Sequence, residues 1–310
     1  MLHFFVVVIR HGPAVLASGC ILGLMLPGVS NLLKPAMPFF VFIFMLGTLL
    51  RVDNEALIAV AKKVRLSVVF PLLMIVVAPC VFGTIAFVLS ESEELSLAIA
   101  VSLAAPPASG NSAVARMLGL DPATSLVVAL FSMALIPITA PWVVQWVSNS
   151  MSIGLDPWAL AGKLLLLVGG AEGAALVIRR YSKSWVNNHG MAVDGVVVVS
   201  LFAFAIATMD GLHDELSEDP ARVMAMIGIA YCVNVTAQLI FGVLCPGGLR
   251  LRFTLALNGG NRNIGLLWAA LGACVSPTVA LYLACCQLPI HTMPKLLQFL
   301  LPKIEKYLKA

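Results

Sequence analysis

Asn258, Gly260, Asn261, Arg262 and Asn263 crowd into "NGGNRNIGL" (258–266), between the apolar runs "LRFTLAL" and "LWAALGACV". Asparagine side chains both donate and accept hydrogen bonds. Glycine permits backbone that other residues avoid. Arginine is a permanent cation with five donors in a planar fork. Together these types suit binding of an ion or a small polar or anionic solute rather than bond-breaking chemistry. A second interruption, "PPASGNSAV" (106–114), sets Ser109, Gly110 and Asn111 inside another apolar run. Gly110-Asn111 aligns with Gly260-Asn261 across 150 residues (260 − 110), close to half of the 310. No His/Cys cluster at metal-ligand spacing, no Gly-x-Ser-x-Gly turn and no paired flanking carboxylates occur, so the chain does not read as an enzyme.

The elements that position these residues follow from composition. Hydrophobic residues make up 60% of the chain and charged residues 11%, with a mean hydropathy of +1.00. An ordinary soluble domain carries about a quarter charged residues, so the sequence reads as an integral membrane protein with the lipid bilayer as its surroundings. Continuous runs such as "LSVVFPLLMIVVAPCVFGTIAFVLS" (66–90) indicate helices rather than alternating membrane strands. The net charge of +4 calls for no nucleic acid. Basic residues mark the cytoplasmic side of a membrane protein. The seven cysteines lie mostly in apolar runs at no metal spacing and read as small apolar filler. "MLHFFVVVIRHGP" carries Arg10 in its apolar run and no small-residue cleavage site, so it does not read as a signal peptide.

Runs of about 20 apolar residues give ten expected spans: 12–28, 35–50, 66–89, 95–115, 122–147, 157–178, 191–209, 222–245, 251–273 and 276–300. One set of loops then holds Arg10, Arg51, Lys62, Lys63, Arg65, Arg116, Arg179, Arg180, Lys183, Arg250, Arg252 and the tail lysines. The alternate loops hold Lys34 and Arg222 among many carboxylates. The cation count places both termini in the cytoplasm, and the expected location is a multi-pass protein of a bacterial inner membrane. Trp142, Trp146 and Trp158 fall at the outer boundary as interfacial anchors. Lys163 snorkels from the outer end of its helix.

Five spans in residues 1–150 and five in 151–310 give an odd number per half, so the second half inserts with opposite orientation. The expected fold is therefore all-α: ten transmembrane helices in two inverted five-helix repeats, with broken helices four and nine crossing at the midplane. Irregular backbone survives at that depth only where protein or a water-filled cavity surrounds it. Half-helix N-termini favour anions there and carbonyl-bearing C-termini favour cations.

The residues around both breaks resemble the bile acid:sodium symporter family. "PFFVFIFMLGTLLRVDNEAL" (38–57) is similar to its second span, "AAPPASGNSAVARMLGLDPATSLVVALFSMALIPITAP" (104–141) to its broken fourth span and the next helix, and "NGGNRNIGLLWAALG" (258–272) to its broken ninth span. The resemblance implies a panel domain (helices 1, 2, 6 and 7), a core domain (helices 3–5 and 8–10) and sodium-coupled uptake of organic anions. It carries Asn111 and Ser125 over as ion-binding residues, with Asn258 as a neutral oxygen in place of the family's glutamate. Arg262 stands where the family has a sodium-binding glutamine, and Ala129 where it has a threonine. Arsenite permeases share this fold, but no cysteine occupies the fourth-span break here.

Arg262 is thus expected to displace one sodium ion, since a second cation within about 4 Å meets several kcal/mol of repulsion at an effective dielectric near 20. It supplies that positive charge permanently and helps an anionic solute bind at the crossing. Two carboxylates are candidate partners for it, Glu172 in the sixth span and Asp194 at the start of the seventh. The candidate solute site is Ser109, Gly110, Asn111, Asn258, Gly260, Asn261, Arg262 and Asn263. The candidate ion site is Asn111, Ser125 and Asn258, with Na+ or H+ as coupling ion, or none. Asn234 and Gln238, at i and i+4 in the eighth span, line the cavity or bond between helices. His291 and Pro289 read as packing and kink features. The expected function is alternating-access transport of a small organic anion, with no cofactor and no obligatory protein partner. The alternatives are a membrane solute sensor or scaffold, or a metalloid or anion exporter.

Overall fold

In the computed structural model of the chain, residues 12–52, 60, 62–90, 92–148, 156–272 and 275–309 are described. Every extended element among them is a helix, and the one bridge of β type joins Pro107 to Arg262. We number the helices α1 (Gly12–Met25), α2 (Pro27–Leu50, through a 3₁₀ turn at Lys34–Ala36) and α3 (Arg65–Ser90). Then come α4 (Glu93–Ala104), α5 (Asn111–Met117), α6 (Pro122–Ser148), α7 (Pro157–Asn188), α8 (Gly190–Ala207) and α9 (Leu212–Glu218). The chain continues through α10 (Pro220–Leu244), α11 (Leu249–Gly260), α12 (Ile264–Leu271), α13 (Pro277–Cys285) and α14 (Gln287–Lys309). Six helical segments are long and apolar enough to cross a membrane: α2, α3, α6, α7, α8 extended through α9, and α10. The expected fourth and ninth spans appear in halves, α4 with α5 and α11 with α12. At 1.5 Å per residue no half crosses a bilayer by itself.

One expected boundary moves. Spans at 12–28 and 35–50 leave the first turn at 29–34, but the chain breaks at Leu26 and re-enters helix at Pro27. Lys34-Pro35-Ala36 continues as a 3₁₀ turn, in which Pro35 sits at the first turn, where no N–H is needed. Lys34 then reaches Asp210 at the far end of α8, 2.7 Å away. At the other end of α8, Asp194 pairs with Arg51 at 3.1 Å. The two pairs tie the 3₁₀ turn and the C-terminal end of α2 to the two ends of α8, which also packs on α1, while α7 packs on α2 and α6. Trp142 and Trp158 meet edge to face at 5.5 Å, close to Asp156, which caps α7 by accepting from the Trp158 N–H.

Around the breaks the long helices act as splints. α3 packs along α4, and α10 along α11. α4 is buried at every residue from Ser96 to Ala104, and a helix apolar on all sides belongs at the centre. It contacts α6 and α13 there, and α12 closes the same cluster. α3 carries two π-helical turns, Arg65–Val69 and Leu73–Val77. Each precedes a proline, Pro71 and Pro79, and each widens the helix where that proline withholds a backbone donor. The outward faces of α3 and α7 expose Val81, Ile85 and Val88, and Leu165, Leu166 and Leu176, a surface suited to lipid.

Candidate functional site

The first break is made by prolines. Ala105 turns extended (φ −61°, ψ 145°) because Pro106 follows, and neither Pro106 nor Pro107 offers an N–H to continue α4. The second break is made by crowding. A Cβ on Gly259 would lie 2.6 Å from the Phe241 ring, and one on Gly260 would lie 2.5 Å from Gln238 Cγ and 2.9 Å from the Asn234 carbonyl. Only glycine lets α11 end against α10.

The two unwound segments satisfy each other. Ala108 N–H donates to the Asn261 carbonyl at 2.9 Å, and Asn263 N–H to the Pro106 carbonyl at 2.7 Å, which closes the Pro107–Arg262 bridge. Side chains complete the clasp. Asn111 Nδ2 donates to Asn258 Oδ1 (3.1 Å) and to the Asn261 carbonyl (2.9 Å). The Ser125 hydroxyl donates to the same Asn258 Oδ1 at 2.8 Å, and Asn258 Nδ2 returns a bond to the Ser125 carbonyl at 3.1 Å. Asn234 Nδ2 donates to the Gly260 carbonyl, Gln238 Nε2 to Asn234 Oδ1, and Asn261 Nδ2 to the Ile290 carbonyl. Buried backbone groups freed by the breaks thereby find partners inside protein, as an apolar surrounding demands. Ala129, one turn beyond Ser125, is buried without a polar group.

A cavity of about 630 Å³ opens beside the clasp. Ser109, Gly110, Asn111, Asn261, Arg262 and Asn263 line it. Facing them are Phe44 and Thr48 of α2 and Val197, Leu201 and Phe204 of α8. Arg51, Asp194 and Arg116 line the cavity too, and Gln287 and His291 of α14 contribute as well. Of the expected solute residues, Asn258 and Gly260 are fully buried and lie off the cavity wall. They belong to the clasp because Asn258 spends its amide on Asn111 and Ser125 while Gly260 lies against α10. Gly110 is the reverse case: it is exposed, has an ordinary φ of −69° and leaves open space where a Cβ would stand. His291, expected as packing, lines the cavity.

Arg262 departs most from expectation. Its guanidinium meets neither Glu172 nor Asp194; three carbonyls hold it instead. Nε donates to Gly259 at 2.8 Å, Nη2 to Met74 at 3.2 Å and Nη1 to Ala105 at 3.3 Å, with the Phe241 ring 5.8 Å from Cζ. The head turns toward α3 and α10, whereas the helix carrying Glu172 packs on α2, α6 and α12. Asp194 is taken by Arg51. Arg262 is 2% exposed, and its fork is taken up by backbone carbonyls. Charge-assisted hydrogen bonds of about 1.5–3 kcal/mol each offset a desolvation penalty of several kcal/mol.

The residues that pattern reading missed are Met74 and Pro79, the source of the third carbonyl, and Arg51 at the cavity. The Arg51–Asp194 pair is 42% and 37% exposed, so screening keeps its contribution small. Arg51→Gln is expected to cost less than ~1 kcal/mol, checked as the shift in thermal midpoint in detergent. Among the described residues no His/Cys/Asp/Glu cluster is arranged to hold a metal ion. No protein-family model matches the chain, and no curated protein matches it.

Proposed function

We propose that the chain is a secondary transporter that carries a small organic anion by alternating access. In this reading ten spans form two inverted repeats, α1, α2, α7 and α8 form a panel, and the remaining helices form a core that moves against it. Both termini face the cytoplasm, and the cavity with its Arg51 and Arg116 opens on that side. The chain is then a distant relative of the bile acid:sodium symporters.

The observation that carries the reading is the position of the cavity. Its walls come from two sets of helices, the clasped breaks on one side and α2 with α8 on the other. A rocking of one set against the other would close it. Among the described residues three cations line it, Arg51, Arg116 and Arg262, against one carboxylate, Asp194, which favours an anion. Asn263, at the N-terminal end of α12, is 7% exposed and holds an Nδ2 with no hydrogen-bond partner. A buried donor left unsatisfied costs about 1–3 kcal/mol, and an anionic solute would relieve that cost. The apolar α2–α8 wall favours a solute with a hydrocarbon part.

Uptake into proteoliposomes across a panel of organic anions, with sodium and pH gradients imposed separately, tests the reading. Gly110→Trp supplies the control: open space there predicts an intact fold with the cavity filled. The thermal midpoint should hold while uptake falls at least ~10-fold, about 1.4 kcal/mol of lost binding. Saturable binding without flux of any anion would replace the transporter with a sensor, and uptake undiminished by Gly110→Trp would move the solute path away from this cavity.

A further inference from the structure

The three carbonyls around Arg262 are ones that their own helices leave without a donor, one at a proline and two at helix ends. In the π-helical turn of α3 the Ala78 N–H bonds the Leu73 carbonyl. The Met74 carbonyl is then due a donor from residue 79, which is proline and has none. The Ala105 carbonyl lies at the end of α4, where the chain turns extended before Pro106 and no further helical turn brings it a donor. The Gly259 carbonyl lies in the last turn of α11, before the chain turns extended at Asn261. Two of the three thus come from helix C-terminal ends, whose dipoles are negative. An aromatic face, Phe241, completes the enclosure. Converging neutral oxygens and a ring, with no carboxylate in ion-pairing distance among the described residues, make up the donor set that holds a monovalent cation.

We propose that this carbonyl cage is a monovalent-cation site whose permanent occupant is the protein's own Arg262 head group. The crossing then keeps, by a covalent tether, the positive charge that a dissociable cation would have to supply, and its integrity does not vary with the cations in solution. Removing the head group opens the cage to a free cation, with guanidinium matching it best and an alkali ion second. The proposal deepens the transport reading by giving the crossing its own cation. Its test reads stability rather than flux, so the two can fail separately.

The measurement is the thermal midpoint of the full chain in detergent, for the natural protein and three variants, in sodium, potassium, guanidinium and choline chlorides at tens of millimolar. The natural protein should have the same midpoint in all four salts. Arg262→Ala should fall by on the order of 10 °C and regain at least half of that in guanidinium or sodium, but not in choline. If Arg262→Ala does not fold, Arg262→Lys and Arg262→Gln decide. Lysine keeps the charge and should retain more stability than glutamine, which keeps donors without charge. A natural protein stabilised by sodium, an alanine variant indifferent to every small cation, or glutamine as stable as lysine would overturn the proposal.

Discussion

Asn258→Leu is expected to destabilise the protein by about 3–5 kcal/mol, the cost of breaking a fully buried polar network. Asn258 Oδ1 accepts from both Asn111 and Ser125, and its Nδ2 donates to the Ser125 carbonyl. Its hydrogen bonds join α11 to both α5 and α6. Leucine fills the volume and answers none of these groups. The Ser125 hydroxyl, buried at 0% exposure, loses its partner, and Asn111 keeps only its bond to the Asn261 carbonyl. Thermal unfolding in detergent reads the loss. A midpoint within a degree or two of the natural protein would mean that the clasp is held by its backbone bonds alone.

The second large effect is at Gly260. Gly260→Val places a branched side chain where a Cβ alone already stands 2.5 Å from Gln238 Cγ and 2.9 Å from the Asn234 carbonyl. Gln238 can swing away, but the Asn234 carbonyl belongs to the backbone of α10. Overpacking of a fixed wall costs about 1–3 kcal/mol or more, and the same shift breaks the Asn234 bond to the Gly260 carbonyl. Little folded protein is expected on size-exclusion chromatography. Gly110→Ala is the counterpart: the sequence aligns the two glycines, yet open space at Gly110 predicts a nearly unchanged midpoint.

That contrast shows how far residue types carry. The two polar interruptions were legible as partners because asparagine and glycine in hydrocarbon need a reason, and Asn111, Ser125 and Asn258 do meet. Which glycine is sterically required was not legible, because it depends on how closely α10 approaches Gly259 and Gly260 and on nothing beside Gly110. The surroundings of Arg262 were not legible for a similar reason. A buried cation suggests a carboxylate, and Glu172 and Asp194 were the carboxylates within reach. The true partners are carbonyls, and the one at Met74 is free only because a π-helical turn shifts the register against Pro79. Backbone acceptors leave no mark in composition or spacing. The turn at Leu26 escaped because Lys34-Pro35 looks like a boundary, yet a proline in the first turn of a helical stretch is tolerated.

The claim on which the rest stands is that the two interrupted helices clasp through their unwound segments. Ala108 and Asn261 are neighbours in that bridge, joined by a backbone bond of 2.9 Å, and paired strands hold facing Cα atoms about 4.5–5.5 Å apart, within disulfide range. With the seven natural cysteines replaced, Ala108→Cys combined with Asn261→Cys should form a disulfide on mild oxidation in the membrane, seen by mass spectrometry as one peptide joining residues 108 and 261. Two free thiols at those positions in folded protein, after the same oxidation, would contradict the clasp.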